Sequence, residues 1–189
     1  DDIIIEWMVD RLLAEDLNAE MEGKTIPQLI KYRDTKHFSA RYSADYHLLK
    51  HAYYLVHAAN FIPEDDILTL IRQYDEQTYL VDTNYRKFYY YYDKLTDDVH
   101  KYEELRSLVE NIYTNRYLDV IIKRFNDLFS YEKVKGQFKL QKDFYNNFVH
   151  NNKERTIVII SDGLRYEVAK ELVKRFHRDE KTSAIIEPQ

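Results

Sequence analysis

Residues 156–172 read TIVIISDGLRYEVAKEL. The β-branched run Ile157, Val158, Ile159, Ile160 suits a buried strand. Ser161-Asp162-Gly163 supplies turn chemistry. Apolar residues at helical spacing follow. Strand, tight turn and helix in that order open an α/β sheet. Open sheets of this kind bind ligands beyond the carboxyl ends of their strands, where Asp162 falls. The spacing predicts a strand over 156–160, a helix over 164–176 and a second strand over 183–187.

Working backward, the period changes near residue 151. The 150 residues before it read as successive helices. Ile4, Trp7, Met8, Leu12, Leu13 and Leu17 share helical spacing over 2–20, and Gly23 ends that segment. Pro27 suits the first turn of a short helix. Ser43 is a candidate N-cap for a helix reaching about residue 60. Pro63 followed by Glu64, Asp65 and Asp66 marks a helix start, since acids in a first turn complement the macrodipole. That helix is expected to run to about 95, with a break near Thr83. Thr96-Asp97-Asp98 reads as the next cap, opening a helix to about 129 with a break near Asn115. A basic loop surrounds Gly136, and 141–150 reads as one more short helix. The fold class is therefore mainly α: a helical region over residues 1–150, then the first strand-helix-strand of an α/β domain over 151–189.

Composition excludes several functions. The 189 residues are 44% hydrophobic and 32% charged, a globular balance. No apolar run nears the roughly 20 residues of a membrane helix. Without cysteine, disulfides, thiolate metal sites and cysteine nucleophiles are excluded, and a cytoplasmic location is expected. The net charge of −5 makes a phosphate-backbone clamp a poor fit, so direct nucleic-acid binding by this segment is not expected. Three glycines and three prolines imply long helices with short connections. The chain starts Asp-Asp, without a basic leader or Met, and is expected to be cut at both ends.

Asp162 has two readings. A carboxylate at a strand end can ligate a divalent metal, with Gly163 allowing the backbone to bend closely around it. It can also cap the following helix, and the two roles can coexist. Arg165 could meet a phosphate and Glu167 a ligand's outer contacts; the plainer role of both is helix surface, with Glu167 favouring the dipole. Ser161 lacks the Gly-x-Ser-x-Gly surroundings of a nucleophile elbow. His47 and His51 stand four apart in HLLKH, but Leu48 occupies the place where a zincin has Glu, and His57 is off that face. The 18 tyrosines and 9 phenylalanines could stack bases. Phe88 to Tyr92 would nevertheless point around a helix, which favours packing between helices with hydroxyls reaching the surface. Asp82, Asp93, Asp97 and Asp98 carry no spacing that separates an acid pair from a solvated face.

TIVIISDGLRYEVAKEL resembles the opening motif of the PglZ domain, a member of the alkaline phosphatase superfamily found in BREX-type phage defence. VDTNYRKFYYYYDKL (81–95) and LVENIYTNRYLDVI (108–121) are similar to the helical region before that domain, QKDFYNNFV (141–149) to its connection, and SAIIEPQ (183–189) to its second strand. The resemblance covers the chain from about residue 42 onward. One departure is Gly163, where the family has Ala. The resemblance implies that Asp162 is a ligand of a bimetal centre in the full-length parent, with divalent metal ions, zinc foremost, that activate a Thr or Ser nucleophile. The nucleophile and the remaining ligands would lie beyond Gln189. It implies a metal-dependent phosphatase or phosphodiesterase acting on a phosphate ester, and other antiphage-system proteins as partners. On that basis the chain alone would hold no metal stably and would be inactive. A non-catalytic helical scaffold that docks other defence components is the alternative.

Overall fold

The computed structural model describes residues 1–36, 40–96, 99–138, 140–150, 152–153 and 155–179. They are mainly helical, and the strands among them form one two-stranded antiparallel ribbon. The chain divides into two compact units, Asp1–Pro63 with Leu80–Arg124, and Glu64–Tyr79 with Phe125–Gln189.

The first unit holds the larger core. Helix α1 (Asp2–Leu13) buries Ile5, Met8, Val9 and Leu12, an i, i+3, i+4, i+7 stripe. It stops seven residues before the expected end, because Glu15 takes a left-handed φ of 52°. A ribbon of β1 (Glu20–Met21) and β2 (Lys24–Thr25) follows, pairing Glu20 with Thr25 and Met21 with Lys24. Its two turn residues, Glu22 and Gly23, both have positive φ, 52° and 69°, the geometry that keeps a two-residue hairpin in twist. Helix α2 (Ile26–Arg33) opens with Pro27 in its first turn. A reciprocal Thr25–Gln28 capping box satisfies donors that would otherwise be orphaned.

Helix α3 (Ser43–His57) buries Tyr46, Leu48, Leu49, His51, Ala52, Leu55 and Val56, and packs on both α1 and α2. Helix α5 (Tyr79–Tyr92), of which Leu80 onward lies in this unit, contributes Phe88 at 0% exposure. It runs through Thr83 without the expected break: Thr83 is buried within the helix. Helix α6 (Glu103–Asn111) adds Leu105 and Val109, then widens into a π-helical turn, Ile112–Leu118, before α7 (Asp119–Leu128). That widening is the irregularity expected near Asn115, and it lets Ile112 and Tyr117 both point inward. The cap expected at Asp97-Asp98 lies outside the described residues.

In the second unit, Asp66 caps α4 (Ile67–Gln73), accepting from the backbone N–H groups of Leu68 and Thr69 at 3.1 Å each. The acids after Pro63 thus precede the helix rather than filling its first turn, and Asp66 caps its start. A π-helical turn, Tyr74–Thr78, follows. Helix α8 (Tyr131–Val134) packs on α4. Gly136 takes φ 79° in the basic loop. Residues 141–150 form short 3-10 and π-helical turns. Helix α9 (Tyr166–Phe176) has its capping position at Arg165.

The strand expected over 156–160 does not form a ladder among the described residues; the second, over 183–187, lies outside them. Ile157, Ile159 and Ile160 are 76, 87 and 86% exposed. A helix closes its hydrogen bonds within its own segment, whereas a strand needs a neighbour for every one.

Candidate functional site

Asp162 sits in a turn in which the Leu164 N–H reaches the Ser161 carbonyl at 3.4 Å. The capping alternative does not hold in this structure. The Val168 and Ala169 N–H groups donate to the Arg165 carbonyl, and no side chain caps α9. The Asp162 carboxylate is exposed and has no hydrogen bond or ion pair among the described residues. It therefore stands free for an outside partner. Among the described residues no three His, Asp or Glu side chains gather to hold a metal ion. Asp162 has no pair of His, Asp or Glu side chains beside it with which to complete such a group among the described residues.

Ser161 and Arg165 are exposed beside it. Glu167 lies in the first turn of α9 as expected, but it is buried at 3% exposure rather than on the helix surface. Tyr166 stands at the middle of an aromatic cluster that the sequence reading missed. Its ring meets Tyr74 at 5.6 Å and Tyr79 edge-on at 6.0 Å. The Lys170 ammonium lies 5.1 Å from the Tyr166 centroid and 5.5 Å from that of Tyr79, and pairs with Asp75 at 3.1 Å. The signal was present as two tyrosines five apart in YDEQTY, a spacing that ordinary helical periodicity discards.

The two histidines of HLLKH are packing groups. The Asn84 amide donates to the Leu80 carbonyl, which turns its oxygen toward His51; His51 Nδ1–H donates to it at 2.8 Å. His47 Nδ1–H donates to the Ser43 carbonyl at 2.7 Å. Both rings stack on Tyr91, at 4.7 and 5.7 Å. Burial pushes the His51 pKa down to about 4, with Lys87 and Lys50 adding repulsion of a proton while Asn84 opposes the shift.

The tyrosines pack between helices, as expected, but many hydroxyls end on carboxylates rather than in water. Tyr102 donates to Asp45, which also pairs with Lys101 at 3.1 Å. Tyr46 donates to Asp1 beside Arg33. Tyr85 and Tyr89 share Glu110, and Tyr113, stacked 3.7 Å from Tyr85, donates to Asp82 at 2.9 Å. Burial first, and the neighbouring carboxylates second, hold Tyr89, Tyr102 and Tyr113 well above the usual phenol range. These groups remain neutral donors, not nucleophiles. Asp82 is thus committed to Tyr113; Asp97 and Asp98 lie outside the described residues.

No described helix is long and apolar enough to cross a membrane. The chain is 35% identical over 156 residues to the alkaline phosphatase-like protein PglZ of Bacillus cereus (strain H3081.97), an alignment taking in 79% of this chain and 18% of that protein. It is 27% identical over 208 aligned positions to the alkaline phosphatase-like protein BrxZ of Escherichia coli O9:H4 (strain HS), covering 98% of this chain and 23% of that protein. The chain spans about a fifth of the length of these curated relatives. No protein-family profile matches it, and no solved structure does.

Proposed function

We propose that this chain, which belongs to the PglZ family of alkaline phosphatase-like proteins, carries the helical approach to a phosphatase-type catalytic domain together with the first residues of that domain. The helical region is residues 1–150, and the catalytic domain opens at 151–189. The parent is a metal-dependent phosphatase or phosphodiesterase acting on a phosphate ester, in a cytoplasmic antiphage system of the BREX type. Asp162 is one ligand of its divalent metal ions, with zinc the expected metal. Other proteins of the defence system are the expected partners.

The observation that carries the reading is the state of Asp162. It stands between an unladdered Ile-Val-Ile-Ile run and a helix, exposed and committed neither to a cap nor to an ion pair. A capping role would have engaged it with the adjacent helix N-terminus. Left unengaged, the carboxylate is available to a cation. The 189-residue chain, offering one ligand, is expected to be inactive.

The test is hydrolysis of a phosphodiester by the full-length parent with zinc or manganese supplied. Turnover should require the metal and should fall at least a hundredfold in Asp162→Ala, while the 189-residue chain shows none. Metal-dependent turnover by this chain alone would overturn the one-ligand account. The alternative is a helical scaffold for other defence components. It predicts no turnover by the parent and retention of partners by residues 1–150.

A further inference from the structure

Tyr74 and Tyr79 are five residues apart. On an ordinary α-helix that spacing places two side chains about 140° apart, facing different neighbours. Here the Tyr79 N–H donates to the Tyr74 carbonyl, five residues back, and closes the wider π-helical turn. The extra residue swings the two rings toward one side, where both meet Tyr166 of α9. Lys170, one turn further along α9, lies over Tyr79 and Tyr166 and ends on Asp75 of the same π-turn. Lys174 extends the series at 5.8 Å from the Tyr79 ring. The helix that follows Asp162 is thereby gripped by a segment some ninety residues earlier in the chain. Only Gly163, Leu164 and Arg165 separate Asp162 from the first residue of that helix.

We infer that Tyr166 and Lys170 are positioning residues: through the Tyr74–Thr78 π-turn, the helical region fixes α9 and with it the direction in which Asp162 presents its carboxylate. This rests on the reading of Asp162 as a metal ligand given above. The Tyr166 ring does the holding. Its hydroxyl is buried with no hydrogen-bond partner among the described residues, and a group left so contributes nothing favourable.

Amide exchange on the 189-residue chain tests the grip itself. Tyr166→Ala should cut the protection of α9 at least tenfold and leave α1 and α3 unchanged. Tyr166→Phe should keep or raise that protection. Deleting Gln77, which returns the π-turn to ordinary helix, should reproduce the loss by rotating Tyr79 about 100° away. If Tyr166→Ala unfolds the second unit outright, Lys170→Ala gives the same comparison with the rings in place. Unchanged α9 protection in both Tyr166→Ala and the deletion would overturn the inference.

Kinetics of the full-length parent then test positioning. Tyr166→Ala should lower kcat and raise the metal concentration giving half-activity about tenfold, with KM nearly constant and Tyr166→Phe restoring both. An unshifted metal dependence alongside a loosened α9 would reduce the cluster to packing. Full activity of Asp162→Ala would instead remove the reading of Asp162, while the exchange result would stand.

Discussion

Ile5, Ile26 and Ile112 are fully buried, while Ile157, Ile159 and Ile160 are more than three-quarters exposed. The side chains are identical and their surroundings are opposite. The first three lie on helices, whose backbones are satisfied within the segment, so only an apolar face needs a neighbour, and other helices of the same unit provide it. The last three lie on a run built for a sheet. Its backbone and both its faces depend on strands and helices from elsewhere in the chain. Local sequence is enough to make the helical units; it is not enough to make one strand of an α/β sheet.

The sharpest way to break that comparison is to truncate one residue from each side. Leu105→Ala in the first core should cost about 2–5 kcal/mol, measured by denaturant unfolding of this chain. Ile159→Ala should change the same quantity by less than about 0.5 kcal/mol. In the full-length parent Ile159→Ala should become as costly as Leu105→Ala. If it stays silent there, the run is not a buried strand.

A second test lies inside the first core. His51 has a folded-state pKa of about 4, below the ordinary 6.5. Between those values the unfolded chain binds the extra proton. Stability is complete above about pH 6.5 and is lost as pH falls through 6.5 toward 4, by at most about 3 kcal/mol. Unfolding free energies across pH 4–8 should show this slope, and His51→Asn should flatten it. A slope unchanged in the variant would assign it to other groups.

A smaller effect is expected at Tyr102, which is buried and donates to Asp45. Tyr102→Phe should cost about 1–2 kcal/mol, because Asp45 keeps Lys101 but loses a donor. A neutral result would show that the Tyr–carboxylate pairs are incidental to the core.

Sequence reasoning read best where periodicity and caps act locally. Met8 and Leu12 of the α1 stripe, Pro27 opening α2, and the irregularity near Asn115 were visible, whereas Ile5 and Val9 fill the stripe where Ile4 and Trp7 were expected. It read less well where an outcome depends on distant partners. The burial of Glu167 and the convergence of Tyr74, Tyr79 and Lys170 on Tyr166 need α9 brought against a segment far away in the chain. A five-residue tyrosine spacing points to no common face until a π-turn creates one. The acids after Pro63 announced a helix terminus, but the particular cap, Asp66, follows from where the chain turns. Asp162 was legible as an acid in the turn before a helix; that it caps nothing follows from the helix beginning at Tyr166.

Metal ligation by Asp162 is open to elemental analysis of the purified full-length parent beside its Asp162→Asn form, an isostere that removes the charge. Bound divalent metal is expected in the parent, with a clear loss of it in the variant and α9 protection from amide exchange unchanged. Equal metal content in the two proteins would contradict ligation by Asp162.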